Sequence, residues 1–111
     1  MKIFNPLNEI TFRVAGNMTN AHSHLDRAYT LTEQDFTNSN INKHLFEKWK
    51  IVQEIKTKST EADYFERIMT AAEYQYDFGI KNILTFIDID EFAEEKAIKA
   101  AVLAKDKLKR F

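Results

Sequence analysis

Residues Ile10-Thr11-Phe12-Arg13-Val14 alternate apolar and polar side chains at a period of two and run up to Gly16, the pattern of a half-exposed edge strand closed by a turn. Met18 to His22 reads as a second, more buried strand. Thr30 to Asn42 is polar, with Asn38-Ser39-Asn40 inside it, and predicts a loop. From Lys43 the spacing becomes helical. Leu45, Trp49, Val52 and Ile55 fall on one stripe, and Lys48, Lys50, Glu54 and Lys56 fall elsewhere. An amphipathic helix ending near Lys58 is predicted, with Trp49 a core residue.

Ser59 or Thr60 can cap the next helix, and Thr60 with Asp63 three residues on approximates a capping box. Phe65, Ile68, Met69, Ala72 and Tyr76 recur at steps of three and four, so this helix should bury one face until Gly79, a residue suited to a left-handed helix end. Asn82-Ile83-Leu84-Thr85-Phe86-Ile87-Asp88 is short and rich in β-formers, which predicts a strand. Asp88 or Asp90 can then cap a last helix from about Glu91 to Arg110. Ala97, Ala101 and Ala104 with Leu108 give that helix a small-residue stripe for close packing, while Glu94-Glu95 and Lys105-Asp106-Lys107 read as its solvated face. Two strands separated by this much helix require a crossover, so the order strand, helix, helix, strand, helix predicts an α/β arrangement with a parallel pair. A lone parallel pair leaves edges unpaired and faces uncovered, so exposed apolar surface is expected.

Composition narrows the chemistry. The chain has 111 residues, 44% hydrophobic and 13% aromatic, enough apolar material for one modest core. Its 16 basic and 17 acidic residues leave a net charge of −1, and their mixing gives no field that favours nucleic acid or an anionic membrane. No window approaches the roughly 18 apolar residues of a membrane span, and a cytoplasmic location is the default expectation. There is no cysteine, which excludes disulfides, thiolate zinc sites and a cysteine nucleophile. Any metal must be held by nitrogen and oxygen.

Within Asn20-Ala21-His22-Ser23-His24-Leu25-Asp26-Arg27, His22 and His24 stand two residues apart at a strand end. That register points both imidazoles the same way, so the pair can share one metal ion. The bland alternative is two solvated or hydrogen-bonded histidines, and only the flanking residues favour the metal. His44 reads as a surface helix residue, and Asp88 and Asp90 as caps before site residues.

That run resembles the first metal-binding motif of the amidohydrolase superfamily, and the Leu25-Asp26-Arg27 continuation is similar to the cytosine deaminase branch. The likeness continues through Trp49, Glu66-Arg67, Phe78-Gly79-Ile80 and Thr85-Phe86-Ile87-Asp88-Ile89-Asp90, from about Thr19 to Lys105. It departs at Phe86, where that branch commonly has a histidine, and this counts against a pyrimidine-type substrate. The resemblance implies the opening βα units, with a helical insertion, of a (β/α)8 TIM barrel. Residues 1–17 would be the remnant of a small β-sandwich region, and residues 18–111 the N-terminal part of an incomplete barrel. His22 and His24 would ligate a divalent ion, Zn2+ or Fe2+, with Asp26 orienting or electrostatically supporting them. The implied reaction is hydrolysis of the C–N bond of a small cyclic amidine or amide by metal-activated water. The family's further ligands and general base are not among these residues, so the chain alone is expected to be inactive and to need the rest of a barrel or self-association. The competing class is a non-catalytic metal-binding relic, or a subunit completed by a second polypeptide.

Overall fold

The computed structural model describes residues 18–30 and 45–109. Its first helix, α1, runs over Leu45–Lys58, and the second, α2, over Glu61–Asp77. Between them the capping box forms as the sequence predicts. The Thr60 hydroxyl oxygen accepts from the Asp63 N–H (3.1 Å), and the Asp63 carboxylate accepts from the Thr60 N–H (2.8 Å). These two bonds satisfy donors that a helix start leaves without intrahelical partners, and they hold the Asp63 carboxyl below the usual carboxylate range. Gly79 follows the end of α2 at φ 88°, with its N–H on the Tyr76 carbonyl at 2.8 Å. A residue with a β-carbon would be strained there.

Two strands, β1 (Met18–Ser23) and β2 (Ile80–Thr85), pair in parallel as a two-stranded sheet. The helices α1 and α2 form the crossover between them. Pairing runs from Met18 opposite Ile80 to Ser23 opposite Thr85, with register irregularities after Met18 and after Asn20. A short 3-10 turn, Leu25–Arg27, follows β1.

The last helix, α3, covers Lys96–Leu108. The Asp90 carboxylate caps the turn ahead of it, accepting from the Phe92 and Ala93 N–H groups at 3.0 and 2.8 Å. Regular helix does not begin there because Glu94 sits in the left-handed region at φ 52°, which breaks the right-handed ladder. Ala93, Ala97, Ala100 and Ala104 are fully buried against Tyr64, Ile68, Ala71 and Ala72 of α2, with Leu25 of the turn joining them. Side chains ending at the β-carbon let two helices approach closely, and this seam is the core. Phe65, Met69, Ile83 and Ile87 pack around it.

The expectation of a partial TIM barrel is corrected by this architecture. The described residues form a small α/β unit of three helices and a two-stranded parallel sheet, not opening units of an eight-stranded barrel. Its core is the α2/α3 seam rather than the interior of a closing sheet. The α1 stripe also differs from expectation: Trp49 is 51% exposed, and Val52 is exposed as well. None of the described side chains of α1 belongs to the buried core cluster. β2 begins at Ile80 and ends at Thr85, earlier at both ends than its β-forming residues suggest. The predicted strand at 10–14, the loop after Thr30 and His44 lie outside the described residues. Among those described, no helix is long and apolar enough to cross a membrane.

Candidate metal centre

β1 carries His22 to its C-terminal end, and His24 stands between the strand and the 3-10 turn, with φ −130° and ψ 74°. The strand end is anchored mainly by Thr85. Its hydroxyl oxygen accepts from the Leu25 N–H at 3.0 Å and lies 3.3 Å from the Ser23 carbonyl, which also accepts from the Phe86 N–H at 2.8 Å. Ser23 returns a bond from its hydroxyl to the Leu84 carbonyl at 3.1 Å. Upstream, the Asn20 amide donates to the Gln75 side chain of α2 at 2.7 Å, and its oxygen accepts from the His22 N–H. The histidine backbone is therefore fixed on both sides by polar contacts to β2 and α2.

The two imidazoles are neighbours, their ring centroids 5.4 Å apart and tilted by 58°. Two imidazoles bound to one tetrahedral zinc through nitrogens about 2 Å from the metal would have centroids roughly 5 Å apart. The observed centroid spacing is close to that value. Both rings are exposed, and among the described residues neither makes a hydrogen bond or ion pair. Phe86 lies against both, 5.0 Å from the His22 ring and 5.5 Å from the His24 ring, the latter stacked at 26°. Among the described residues no group of three or more His, Asp or Glu side chains is placed to hold a metal. A zinc shell commonly has four ligands, so the pair alone would fall short of one.

Asp26, two residues past His24, is turned inward. It is 2% exposed, and its Oδ2 accepts from the Asp88 N–H at 2.9 Å. Among the described residues it makes no hydrogen bond to either imidazole; its bond is to the backbone of the loop after β2. Asp88, which the sequence offers as a helix cap, instead binds two cations. Arg27 donates to it bidentately, Nε to Oδ2 at 2.8 Å and a terminal nitrogen to Oδ1 at 2.7 Å. The Lys56 ammonium lies 2.7 Å from Asp88 Oδ2 and 2.6 Å from Asp90 Oδ2. The hydrogen bond from Arg27, aided by Lys56, holds the Asp88 carboxyl at about 2 against burial, which opposes ionisation. Burial also presses the Lys56 ammonium downward, but its bonds to Asp88 and Asp90 outweigh that and raise it overall. Arg27 is raised by its bond to Asp88. Asp90 ends lowered, because bonds from the Ala93 N–H and Lys56 overcome its burial.

Sequence reasoning located the histidine pair but missed Phe86 as their neighbour and Lys56 as the tie between α1 and the β2 loop. The signal for Phe86 was parallel pairing itself, which sets the end of β2 beside the end of β1. Lys56 gave none beyond a basic residue close to a helix end.

No family model matches this chain, and no solved structure does. A protein of Haemophilus influenzae (strain ATCC 51907 / DSM 11121 / KW20 / Rd), described as an uncharacterized protein, is 36% identical over 94 residues, which cover 82% of this chain and 33% of that protein. The chain therefore spans about a third of the length of the relative it matches.

Proposed function

We propose that His22 and His24 are two ligands of a divalent metal site, zinc or ferrous iron, in a hydrolase that attacks C–N bonds of small cyclic amidines or amides. One observation carries the reading: two exposed imidazoles at a strand end, 5.4 Å apart and without competing partners among the described residues. The resemblance of the surrounding Asn20 to Arg27 run to an amidohydrolase metal motif supports the reaction class. A bound divalent ion would lower the pKa of water towards neutrality and polarise the carbon under attack. The chain's own residues have narrower tasks. His22 and His24 bind as neutral imidazoles, Phe86 forms an apolar wall beside them, and the Thr85 and Asn20 contacts fix the backbone that carries them. The remaining ligands and a general base come from outside the described residues, which accords with a relative about two and a half times as long.

The test measures zinc and iron in purified wild-type protein and in the His22→Ala/His24→Ala variant, followed by ammonia release from a panel of cyclic amidines and amides. Stoichiometric metal in the wild type that is lost in the variant is the expected result, with metal-dependent ammonia release appearing only when the partner segment, which carries the remaining ligands and the general base, is present. Equal metal content in both proteins would overturn the site. Metal binding without ammonia release, in a protein that includes the partner segment, would leave a metal-binding module and remove the hydrolase.

A further inference from the structure

A second feature lies between α1, α2 and the turn after β1. A cavity of about 100 Å3 is lined by Asp26, Arg27, Lys56, Tyr64 and Arg67, with Val52 and Ile55 among its apolar walls. Most polar groups on its wall already have partners. The Tyr64 hydroxyl donates to the Lys56 carbonyl at 3.2 Å, and the Lys56 ammonium binds Asp88 and Asp90. Arg67 donates from a terminal nitrogen to the Ser59 hydroxyl at 3.0 Å and holds its guanidinium 4.6 Å over the Tyr64 ring. Two buried atoms remain without a partner among the described residues: Asp26 Oδ1 and Arg67 Nε. One is an acceptor, the other a donor, and their residues face the same cavity.

Leaving two such groups unmet in a protein interior is costly. The occupant that meets both must donate to a carboxylate oxygen and accept from a guanidinium N–H. Arg27 and Lys56 also line the cavity but are already paired with Asp88 and Asp90. A fully ionised anion has no hydrogen to donate to Asp26 Oδ1, a cation has no lone pair to accept from Arg67 Nε, and an apolar molecule would satisfy neither. Water fits, and about 10–15 Å3 of such volume is enough for one molecule. We propose that this cavity is a hydration site in which an internal water donates to Asp26 Oδ1 and accepts from Arg67 Nε, tying α2 to the turn that follows His24. The site is independent of the metal reading, because it rests on Asp26 and Arg67 and not on the imidazoles.

Water-selective NMR on the isotope-labelled wild-type chain tests it. The Arg67 Nε–H should be visible, slow to exchange, and joined to water by a cross-peak of the sign that marks a long residence time. A visible Nε–H without that cross-peak indicates a direct bond to Asp26 or a dry cavity, and an Nε–H lost to rapid exchange indicates exposure to bulk solvent; either overturns the proposal. Oxygen-17 relaxation dispersion adds a count: Arg67→Met, which keeps side-chain length but cannot donate, should hold at least one fewer long-lived water than wild type. An equal count would also overturn it, and if the variant fails to fold the wild-type spectrum decides alone.

Discussion

Asp88 accepts a fork of two bonds from Arg27 and a third from Lys56, and its backbone N–H is held by buried Asp26. This one carboxylate therefore joins the turn after β1, the end of α1 and the loop after β2. Its carboxyl titrates at about 2 in the fold against 3.8 in an unconstrained chain, and its side chain is largely buried. A depressed folded value means that the stabilisation is complete above about pH 5 and disappears as pH falls through about 2, with a magnitude on the order of 2 kcal/mol. The Asp88→Asn variant should be less stable than wild type by that amount at pH 6, and the gap should close towards pH 2. Urea unfolding across that range measures it; a gap that stays constant with pH would contradict the ionic origin. Thr60→Ala at the capping box should cost about 1 kcal/mol in the same assay at neutral pH.

At the scale of elements, local chemistry was readable and burial was not. Thr60 with Asp63 and Gly79 announced their structure, because caps and left-handed positions are decided within a few residues of chain. The alanine stripe did so in part, since Ala97 and Ala104 are in the buried seam but Ala100 takes the place expected of Ala101, which is only partly buried. The histidine pair at a strand end was readable for the same reason. The α1 stripe of Trp49, Val52 and Ile55 had the right period for a buried face, but period says only that a face exists, not what covers it. Here α2 and α3 cover each other and leave Trp49 half open, in edge contact with Phe46 at 5.4 Å. The role of Asp88 was equally hidden, since its partners stand 61 and 32 residues away and only the fold brings them together. A pair of substitutions separates the two kinds of position. Ala100→Leu adds bulk to a fully buried seam and should cost about 1–3 kcal/mol. Trp49→Ala should cost under about 1 kcal/mol, far below the roughly 3–5 kcal/mol of a buried tryptophan. Comparable losses in thermal unfolding would mean that α1 is part of the core after all.

For the whole molecule, exposed apolar surface and the exposed histidine pair fall in the same place. Leu84 is 63% and Phe86 57% exposed at the end of β2, beside the two imidazoles proposed as half of a tetrahedral shell. A surface of that kind is the ordinary mark of an interaction site, and a relative with about two and a half times the length offers material to cover it. Metal linkage makes the functional half of this argument measurable on the present chain. An ion that binds the fold better than the unfolded chain stabilises it by an amount that grows with its concentration, about 1.4 kcal/mol for each tenfold rise above the dissociation constant. Two correctly spaced imidazoles should give such a response to zinc. Unfolded chains also bind zinc through loose histidines, so a site that exists only in the fold is distinguished by its dependence on both rings. The wild-type unfolding midpoint should climb with zinc, while His22→Ala and His24→Ala should each stay flat, because one imidazole cannot hold the ion against water. Parallel responses in all three proteins would show that the spacing at the end of β1 has no bearing on metal binding.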